Sequence, residues 1–171
     1  FDYKGECACV EVENSELAIG KIAKGILEDR KDNIIKISVT GSVGKTSTKD
    51  MVYSVLNTKY NVLKTEGNNN NHIGLPLTLL RLKNEEIMIL EMGMNNKNEI
   101  SLLTDIAKPT IAIITNVGTA HIGNLGSREN IMKAKLEIIE GLNGPLIINN
   151  DNDILNKNLE YIKSLNDVIT I

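Results

Sequence analysis

Short runs of aliphatic residues alternate along the chain with longer segments of helical periodicity. Most of the aliphatic runs are nearly continuous, which is typical of strands covered on both faces of a sheet. They predict strands over residues 34–39, 60–63, 87–90, 110–115, 146–148 and 168–171. Because the runs are short and regularly separated, we expect all of these strands to belong to one sheet.

Helical periodicity fills the intervals between these strands, with apolar residues three and four positions apart. The predicted helices cover residues 46–56, 75–82, 99–106, 127–142 and 153–165. Repeated strand–helix–strand units with short connections predict an α/β fold with a doubly wound, mostly parallel sheet. A further amphipathic helix over residues 15–29 precedes the first strand, and we expect it to pack on the sheet edge or to link to a preceding domain.

Composition narrows the class of protein. At 171 residues the chain fits one domain, and its net charge of −3 argues against a general nucleic-acid binder. It contains neither an apolar run long enough to cross a bilayer nor an opening signal peptide. Cys7 and Cys9 cannot build a disulfide framework, so we expect a reducing, cytoplasmic location. Because the chain begins at Phe1 rather than at methionine, we expect it to be a piece of a longer protein.

The strongest chemical signal is the segment Gly41-Ser42-Val43-Gly44-Lys45-Thr46-Ser47, which lies between the first strand and the next helix. Glycines allow backbone N–H groups to approach a polyphosphate, and the helix N-terminus adds partial positive charge. Lys45 can reach the terminal phosphates, and the Thr46 hydroxyl can ligate Mg²⁺. Val39 stands where the longer Walker pattern has its first glycine, so this is the shorter Gly-x-x-Gly-Lys-Thr form. It predicts a nucleotide site, the alternative being a glycine-rich turn.

Other polar groups follow the later strands, and each has two interpretations. The tract 65–77 is either a solvated loop or a segment facing the ligand. Glu91 ends the third strand, where it either holds Mg²⁺ or is an ordinary capping or surface carboxylate. His121, beyond the fourth strand, is either a metal ligand or an incidental loop histidine. The apolar neighbours of Lys135 favour a lysine whose ammonium reaches the surface.

In order along the chain, these motifs resemble the central ATPase domain of the Mur ligases, a superfamily that includes the folylpolyglutamate synthetases. The resemblance rests on residues 40–46, 67–80, 90–93, 115–127, 134–138 and 149–151. Within the family, the motifs are most similar to the branch that joins D-alanyl-D-alanine to UDP-N-acetylmuramoyl-tripeptide. The resemblance implies that residues 1–32 are a linker and helix from the end of an N-terminal domain. Residues 33–171 would then be the ATP-binding central domain, incomplete at its C-terminal end.

The resemblance also implies roles for individual residues. Lys45 would contact the ATP phosphates, Thr46 and Glu91 would hold a first Mg²⁺, and His121 and Lys135 would help to bind a second. Lys135 would be carbamylated, as the lysine at this place is in relatives. Asn71 would approach the transferred phosphate, and Asn149 and Asp151 would lie near the adenosine. The full expected nucleotide-binding set is Gly41, Ser42, Val43, Gly44, Lys45, Thr46, Ser47, Asn71, Asn116, Asn149 and Asp151; the expected catalytic set is Lys45, Glu91, His121 and Lys135.

The implied reaction is amide-bond formation in peptidoglycan precursor synthesis. A peptide carboxylate attacks the γ-phosphate of ATP to give an acyl phosphate, and the amine of D-alanyl-D-alanine then displaces phosphate. The implied partners are these two substrates and the N- and C-terminal domains of the same enzyme, with no nucleic acid and no membrane span. Two alternatives remain open: a stand-alone P-loop NTPase, and a non-catalytic fragment that resembles a Mur ligase.

Overall fold

A six-stranded parallel sheet forms the centre of the molecule in the computed structural model, which describes residues 5, 8–30 and 34–171. The strand order is β2-β3-β1-β4-β5-β6, and every neighbouring pair is parallel. The strands are β1 (Ile35–Thr40), β2 (Val62–Lys64), β3 (Ile87–Glu91), β4 (Ile111–Ile114), β5 (Leu146–Ile148) and β6 (Val168–Thr170). The predicted α/β fold is confirmed. The domain boundary predicted between residues 32 and 33 lies outside the described residues, as does Cys7.

Helices follow most of the strands, as the periodicity predicts. They are α1 (Ser15–Asp29), α2 (Lys45–Leu56), α3 (Gly74–Leu79), α4 (Glu99–Ala107), α5 (Ile122–Leu125), α6 (Arg128–Leu136), α7 (Asp153–Lys157) and α8 (Leu159–Leu165). None of the helices in the described part of the chain combines the length and the apolar character that a bilayer span needs.

The direction of the strand connections decides which face each helix covers. From β1 the chain runs past β3 to β2, whereas every later connection runs the opposite way along the sheet. Right-handed crossovers therefore place α2 on one face and the later helices on the other. The apolar clusters agree with this assignment: side chains of α2 pack on strand residues such as Val39 and Ile89, and the larger cluster joins the opposite face to α3, α4, α6, α7 and α8.

The leading helix α1 packs against α3 and α4 and so belongs to the helical layer rather than to the sheet edge. Ala23 is fully buried there, and a Cβ on Gly20 would lie only 3.1 Å from Ile106 Cδ1. Lys24 Nζ is 2.8 Å from Asp105 Oδ2 on α4. The side chain of Asn14 caps the helix by accepting a hydrogen bond from the Leu17 N–H at 3.0 Å.

The predicted helix over 127–142 is too long, because the chain changes to a 3₁₀-helix over Glu137–Gly141. The Thr104 hydroxyl donates a hydrogen bond to the Ile138 carbonyl at 2.9 Å and so occupies an acceptor of the α-helical ladder. The Leu142 N–H bonds Ile139 instead, three residues back. The predicted helix over 153–165 likewise breaks at Asn158, whose side-chain amide donates to the Ile154 carbonyl at 2.8 Å.

Gly141 packs tightly against the backbone of Thr104 in α4, so a substitution at Gly141 tests this packing. A Cβ at Gly141 would lie 2.4 Å from the backbone oxygen of Thr104, which has no free rotamer with which to move away. We expect Gly141→Ala to lower the free energy of unfolding by roughly 1–3 kcal/mol, measured by urea denaturation. The matched control is Gly25→Ala in α1, where a Cβ meets nothing within 4 Å. The control should raise stability by about 0.5–1 kcal/mol, and equal effects of the two substitutions would contradict the proposed clash.

Candidate functional site

The polar segments singled out in the sequence meet at the carboxyl-terminal edge of the sheet. Val39 is paired in register with Glu91, and Thr40 with Ile114. Because all the strands are parallel, the segments that follow β1, β2, β3, β4 and β5 leave the sheet at the same edge. Ligands of open α/β sheets bind in the crevice at this edge, where the connections diverge to the two faces. Here they diverge at β1.

The loop between β1 and α2 has no space for a side chain at one position and favours glycine at a second. A Cβ on Gly41 would lie 1.9 Å from Thr115 Oγ1, and Gly44 caps α2 with a left-handed φ of 80°. No side chain caps α2 at its N-terminus, so the first-turn N–H groups are available to an external acceptor. Unpaired N–H groups and the positive end of a twelve-residue helix form a site for an anion such as a phosphate group.

A segment that follows β4 fixes the conformation of this loop. The side-chain amide of Asn116 accepts from the Val43 N–H at 3.1 Å and donates to the Val43 carbonyl at 3.0 Å. The Thr115 hydroxyl also donates to that carbonyl, and the Gly118 N–H donates to Ser42 Oγ. Both ends of the Asn116 amide are therefore occupied by the loop. The predicted contact between Asn116 and a nucleotide remains untested, whereas its support of the loop, and that of Thr115, was missed in the sequence.

The Glu91 carboxylate joins three segments of the site. It is only 3% exposed, and its two oxygens accept from the Thr46 hydroxyl and from the Asn70 amide, each at 2.9 Å. The Glu91 N–H donates to the Thr65 hydroxyl at 3.0 Å. The predicted pairing of Thr46 with Glu91 thus has matching geometry. Sequence reasoning missed Asn70, because nothing in the run 68–71 distinguishes one asparagine from the next.

Two lysines of α2 lie near these groups. Lys45 Nζ donates to the Gly41 carbonyl at 3.0 Å, so its ammonium lies across the loop. Lys49 is buried, with its Nζ 2.9 Å from the Thr65 carbonyl oxygen and 4.0 Å from Glu91 Oε2. Sequence reasoning did not consider Lys49. Its spacing of four residues from Lys45 was the available signal, because such positions share one face of a helix.

Lys135 is the second buried lysine of the site and is only 2% exposed. Burial lowers the pKa of its ammonium to about 7, and repulsion from Lys45 acts in the same direction. Among the described residues, no hydrogen bond or ion pair to its ammonium is present. The prediction that this ammonium reaches the surface is wrong, since α6 buries it beside the loop lysine.

The remaining predicted residues take up less central positions. His121 is exposed with a left-handed φ of 66°, and its ring makes no hydrogen bond to the described residues. The Asn71 side-chain oxygen accepts from the N–H groups of Ile73 and Gly74 at the start of α3. Asn149 accepts from the Asp151 N–H at 2.9 Å in the turn after β5. Roles for these residues stay predictions, as does that of Ser47 in the first turn of α2.

The donor set of the site suits magnesium. Thr46 and Glu91 offer a hydroxyl and a carboxylate, the hard oxygen ligands that Mg²⁺ prefers. Groups of three or more histidine, cysteine, aspartate or glutamate residues that could enclose a metal do not occur within residues 8–30 and 34–171. Magnesium commonly binds through one or two protein oxygens and completes its shell with water and phosphate oxygens. The residues present therefore fit a magnesium–polyphosphate ligand.

Comparison with known proteins points to one family. Residues 39–171 match the model of the Mur ligase middle domain. The chain is 51% identical over 151 residues to UDP-N-acetylmuramoyl-tripeptide–D-alanyl-D-alanine ligase of Bacillus subtilis (strain 168), covering 86% of this chain and 33% of the relative. It is 39% identical over 145 residues to the ligase of the same description from Escherichia coli (strain K12), covering 83% and 32%. The chain thus spans about a third of the length of these relatives.

Solved structures agree with this similarity. The crystal structure of MurF from Acinetobacter baumannii superposes with a TM-score of 0.89 at 34% identity, covering 99% of this chain and 38% of that one. MurF ligase from Thermotoga maritima in complex with ADP gives a TM-score of 0.87 at 34% identity, covering 99% and 39%.

The buried Lys135 should make stability depend on pH. Between pH 7 and about pH 10 the unfolded chain holds a proton on this amine that the folded chain has lost, so the free energy of unfolding rises with pH. The slope is at most about 1.4 kcal/mol per pH unit. We expect Lys135→Met to be more stable than the wild type at pH 6 and to lose this advantage by pH 10, in urea denaturation without bicarbonate. Lys133→Met, an exposed lysine of the same helix, is the control, and parallel profiles for wild type and Lys135→Met would contradict the prediction.

If Asn116 holds the loop in its binding conformation, its loss should lower the affinity for ATP. We expect Asn116→Ala to weaken ATP binding about tenfold by calorimetry, because two hydrogen bonds of roughly 0.5–1.5 kcal/mol each no longer hold Val43 in place. Asn61→Ala at the opposite edge of the sheet removes a side-chain amide that bonds Asn84, and it should leave the affinity unchanged. Equal affinities for Asn116→Ala and wild type would show that the loop keeps its shape without this residue.

Proposed function

Because the chain belongs to the Mur ligase family, we propose that it is the ATP-binding central domain of a ligase that joins D-alanyl-D-alanine to UDP-N-acetylmuramoyl-tripeptide. We call the loop between β1 and α2, residues 41–44, the phosphate loop. The observation that carries the proposal is that this loop, the Thr46–Glu91 pair and buried Lys135 lie together at one edge of the sheet. The substrates follow from the names of the relatives. Because the chain spans about a third of their length, the remaining domains would supply the rest of the substrate contacts, and residues 1–32 would lead in from the N-terminal one.

The phosphate loop would bind the phosphates of ATP. Its glycines and the N-terminus of α2 present N–H groups, and Lys45 neutralises charge that moves onto the terminal phosphate during transfer. Thr46 and Glu91 would hold Mg²⁺, whose chemistry would be further neutralisation of phosphate charge. No protein nucleophile is required, since the peptide carboxylate attacks the γ-phosphate and the dipeptide amine attacks the resulting acyl phosphate. Asn71 would lie near the transferred phosphate, and Asn149 and Asp151 near the adenosine.

Lys135 has a property that suits the carbamylation expected of it. Burial holds its pKa at about 7, so a large fraction of the amine is neutral at physiological pH. A neutral amine adds to carbon dioxide and releases a proton, which forms an anionic carbamate. The change from cation to anion would let Lys135 assist His121 at a second Mg²⁺, and it would remove the repulsion between Lys135 and Lys45.

Such an enzyme acts in peptidoglycan precursor synthesis, a process that supports cell shape and division. We place it in the cytoplasm, where ATP and nucleotide-linked precursors are available. The second candidate is a stand-alone P-loop NTPase, which the loop geometry alone would also permit. It differs in a measurable way, because its ATP hydrolysis would not depend on either peptide substrate.

The experiment is ligation by the full-length protein that contains this chain. With ATP and Mg²⁺ we expect ADP release to require both UDP-N-acetylmuramoyl-tripeptide and D-alanyl-D-alanine, with the amide product detected by mass spectrometry. Lys45→Met should reduce turnover about a thousandfold, because the transferred phosphate would lose the cation that the loop supplies. Lys59→Met, an exposed lysine beyond α2, is the control and should keep wild-type turnover. ADP release that ignores both substrates would favour the NTPase, and the absence of any ATP-dependent activity would favour a non-catalytic domain.

A further inference from the structure

We propose that Lys49 is a positioning residue that holds the Glu91 carboxylate in place for the metal of Mg·ATP. The proposal rests on the proposed function, because it assigns Lys49 to the magnesium part of that same site. Lys49 does not belong to the phosphate loop. It lies one helical turn beyond Lys45, at the junction of α2 with the ends of β2 and β3.

The burial of Lys49 requires an explanation. Its side chain is only 3% exposed, and a lysine is rarely buried to that extent unless it is paired. Its Nζ donates to the Thr65 carbonyl at 2.9 Å and lies 4.0 Å from Glu91 Oε2. Glu91 is equally buried, so each charge provides a buried countercharge for the other.

Lys49 holds the glutamate through two connections. The direct one is the ion pair with the carboxylate. The indirect one runs through Thr65, whose carbonyl accepts from Lys49 and whose hydroxyl accepts from the Glu91 N–H at 3.0 Å. Both the backbone and the carboxylate of Glu91 are thereby fixed from the side of α2. The Thr46 and Asn70 hydrogen bonds then settle which way its oxygens face.

The surroundings extend this pairing to the surface as a row of alternating charges. Asp50 Oδ1 lies 3.6 Å from Lys49 Nζ and 2.7 Å from Lys64 Nζ. Lys64 in turn lies over the ring of Tyr53, with its Nζ 4.2 Å from the ring centroid. The row runs from Lys64 through Asp50 and Lys49 to Glu91, so the cation beside Glu91 is itself held by an anion. This arrangement keeps Lys49 from turning toward solvent.

Lys49 Nζ is held by the Thr65 carbonyl beside Glu91, whereas Lys45 Nζ lies across the loop on the Gly41 carbonyl, so we expect Lys45 and the loop N–H groups to bind the phosphates without Lys49. Loss of Lys49 should therefore affect the magnesium-dependent part of ATP binding and spare the part that is independent of the metal. A residue with a purely structural role would weaken both parts together.

The test is calorimetric titration of ATP into the full-length protein, once with excess Mg²⁺ and once with a chelator. The readout is the dissociation constant with chelator divided by the dissociation constant with Mg²⁺, which measures how much the metal strengthens binding. We expect Lys49→Met to reduce this ratio at least tenfold while the chelator value changes less than threefold. Lys49→Gln keeps a donor for the Thr65 carbonyl but no charge, and it should reduce the ratio similarly. It also provides a second folded variant if methionine destabilises the protein. Lys59→Met should keep the wild-type ratio.

Each outcome gives a decision. A wild-type ratio in Lys49→Met or in Lys49→Gln overturns the positioning role, even though the wild type binds Mg·ATP as proposed. An equal loss of affinity with and without Mg²⁺ also overturns it, because a general disturbance of the fold would then account for the effect. If the wild type gains no affinity from Mg²⁺, the proposed function fails first, and the role of Lys49 fails with it.

Discussion

The site depends on the burial of one negative charge at the end of a central strand. A carboxylate that is 3% exposed needs hydrogen bonds and a cation, and Glu91 obtains them from three residues on two segments. Thr46 comes from α2, Asn70 from the tract after β2, and Lys49 from the next turn of α2. The two residues of α2 are distant in the sequence from Asn70 and from Glu91, and these segments meet at the carboxylate. Satisfying the charge therefore brings together the loop, the asparagine tract and the edge of the sheet.

Connection handedness explains why this charge lies beside the phosphate loop. The single connection that runs against the others carries α2 to its own face of the sheet, so the loop before α2 opens where the chain diverges. β3 is hydrogen-bonded beside β1 and brings Glu91 next to that opening. β4 lies on the other side of β1 and provides the segment that shapes the loop. The site is thus a consequence of strand order as much as of motif.

Local signals predicted the fold and the centre of the site, because each element is encoded within a short stretch. Continuous apolar runs indicated the strands, and Gly44-Lys45-Thr46 between a strand and a helix indicated the loop. Contacts between residues far apart in the chain could not be predicted from the sequence. The 3₁₀-helix that follows Leu136 involves a hydrogen bond from the Thr104 hydroxyl to the Ile138 carbonyl, and the choice of Asn70 over Asn71 depends on the position of β3. The expectation that the Lys135 ammonium reaches the surface failed because burial by neighbouring elements cannot be read from one helix alone.

The pair of hydrogen bonds between Asn116 and Val43 has a consequence for how the phosphate loop depends on the sheet. Val43 and Asn116 are 73 residues apart in the chain, yet the amide of one sets the backbone of the other. A contact between residues so far apart requires the intervening chain to be closed into a loop, which costs conformational entropy. The Asn116 hydrogen bonds can therefore hold the loop in this shape only when β4 lies beside β1. An anion bound in the loop would in turn stabilise the packing of β4 beside β1 against local unfolding.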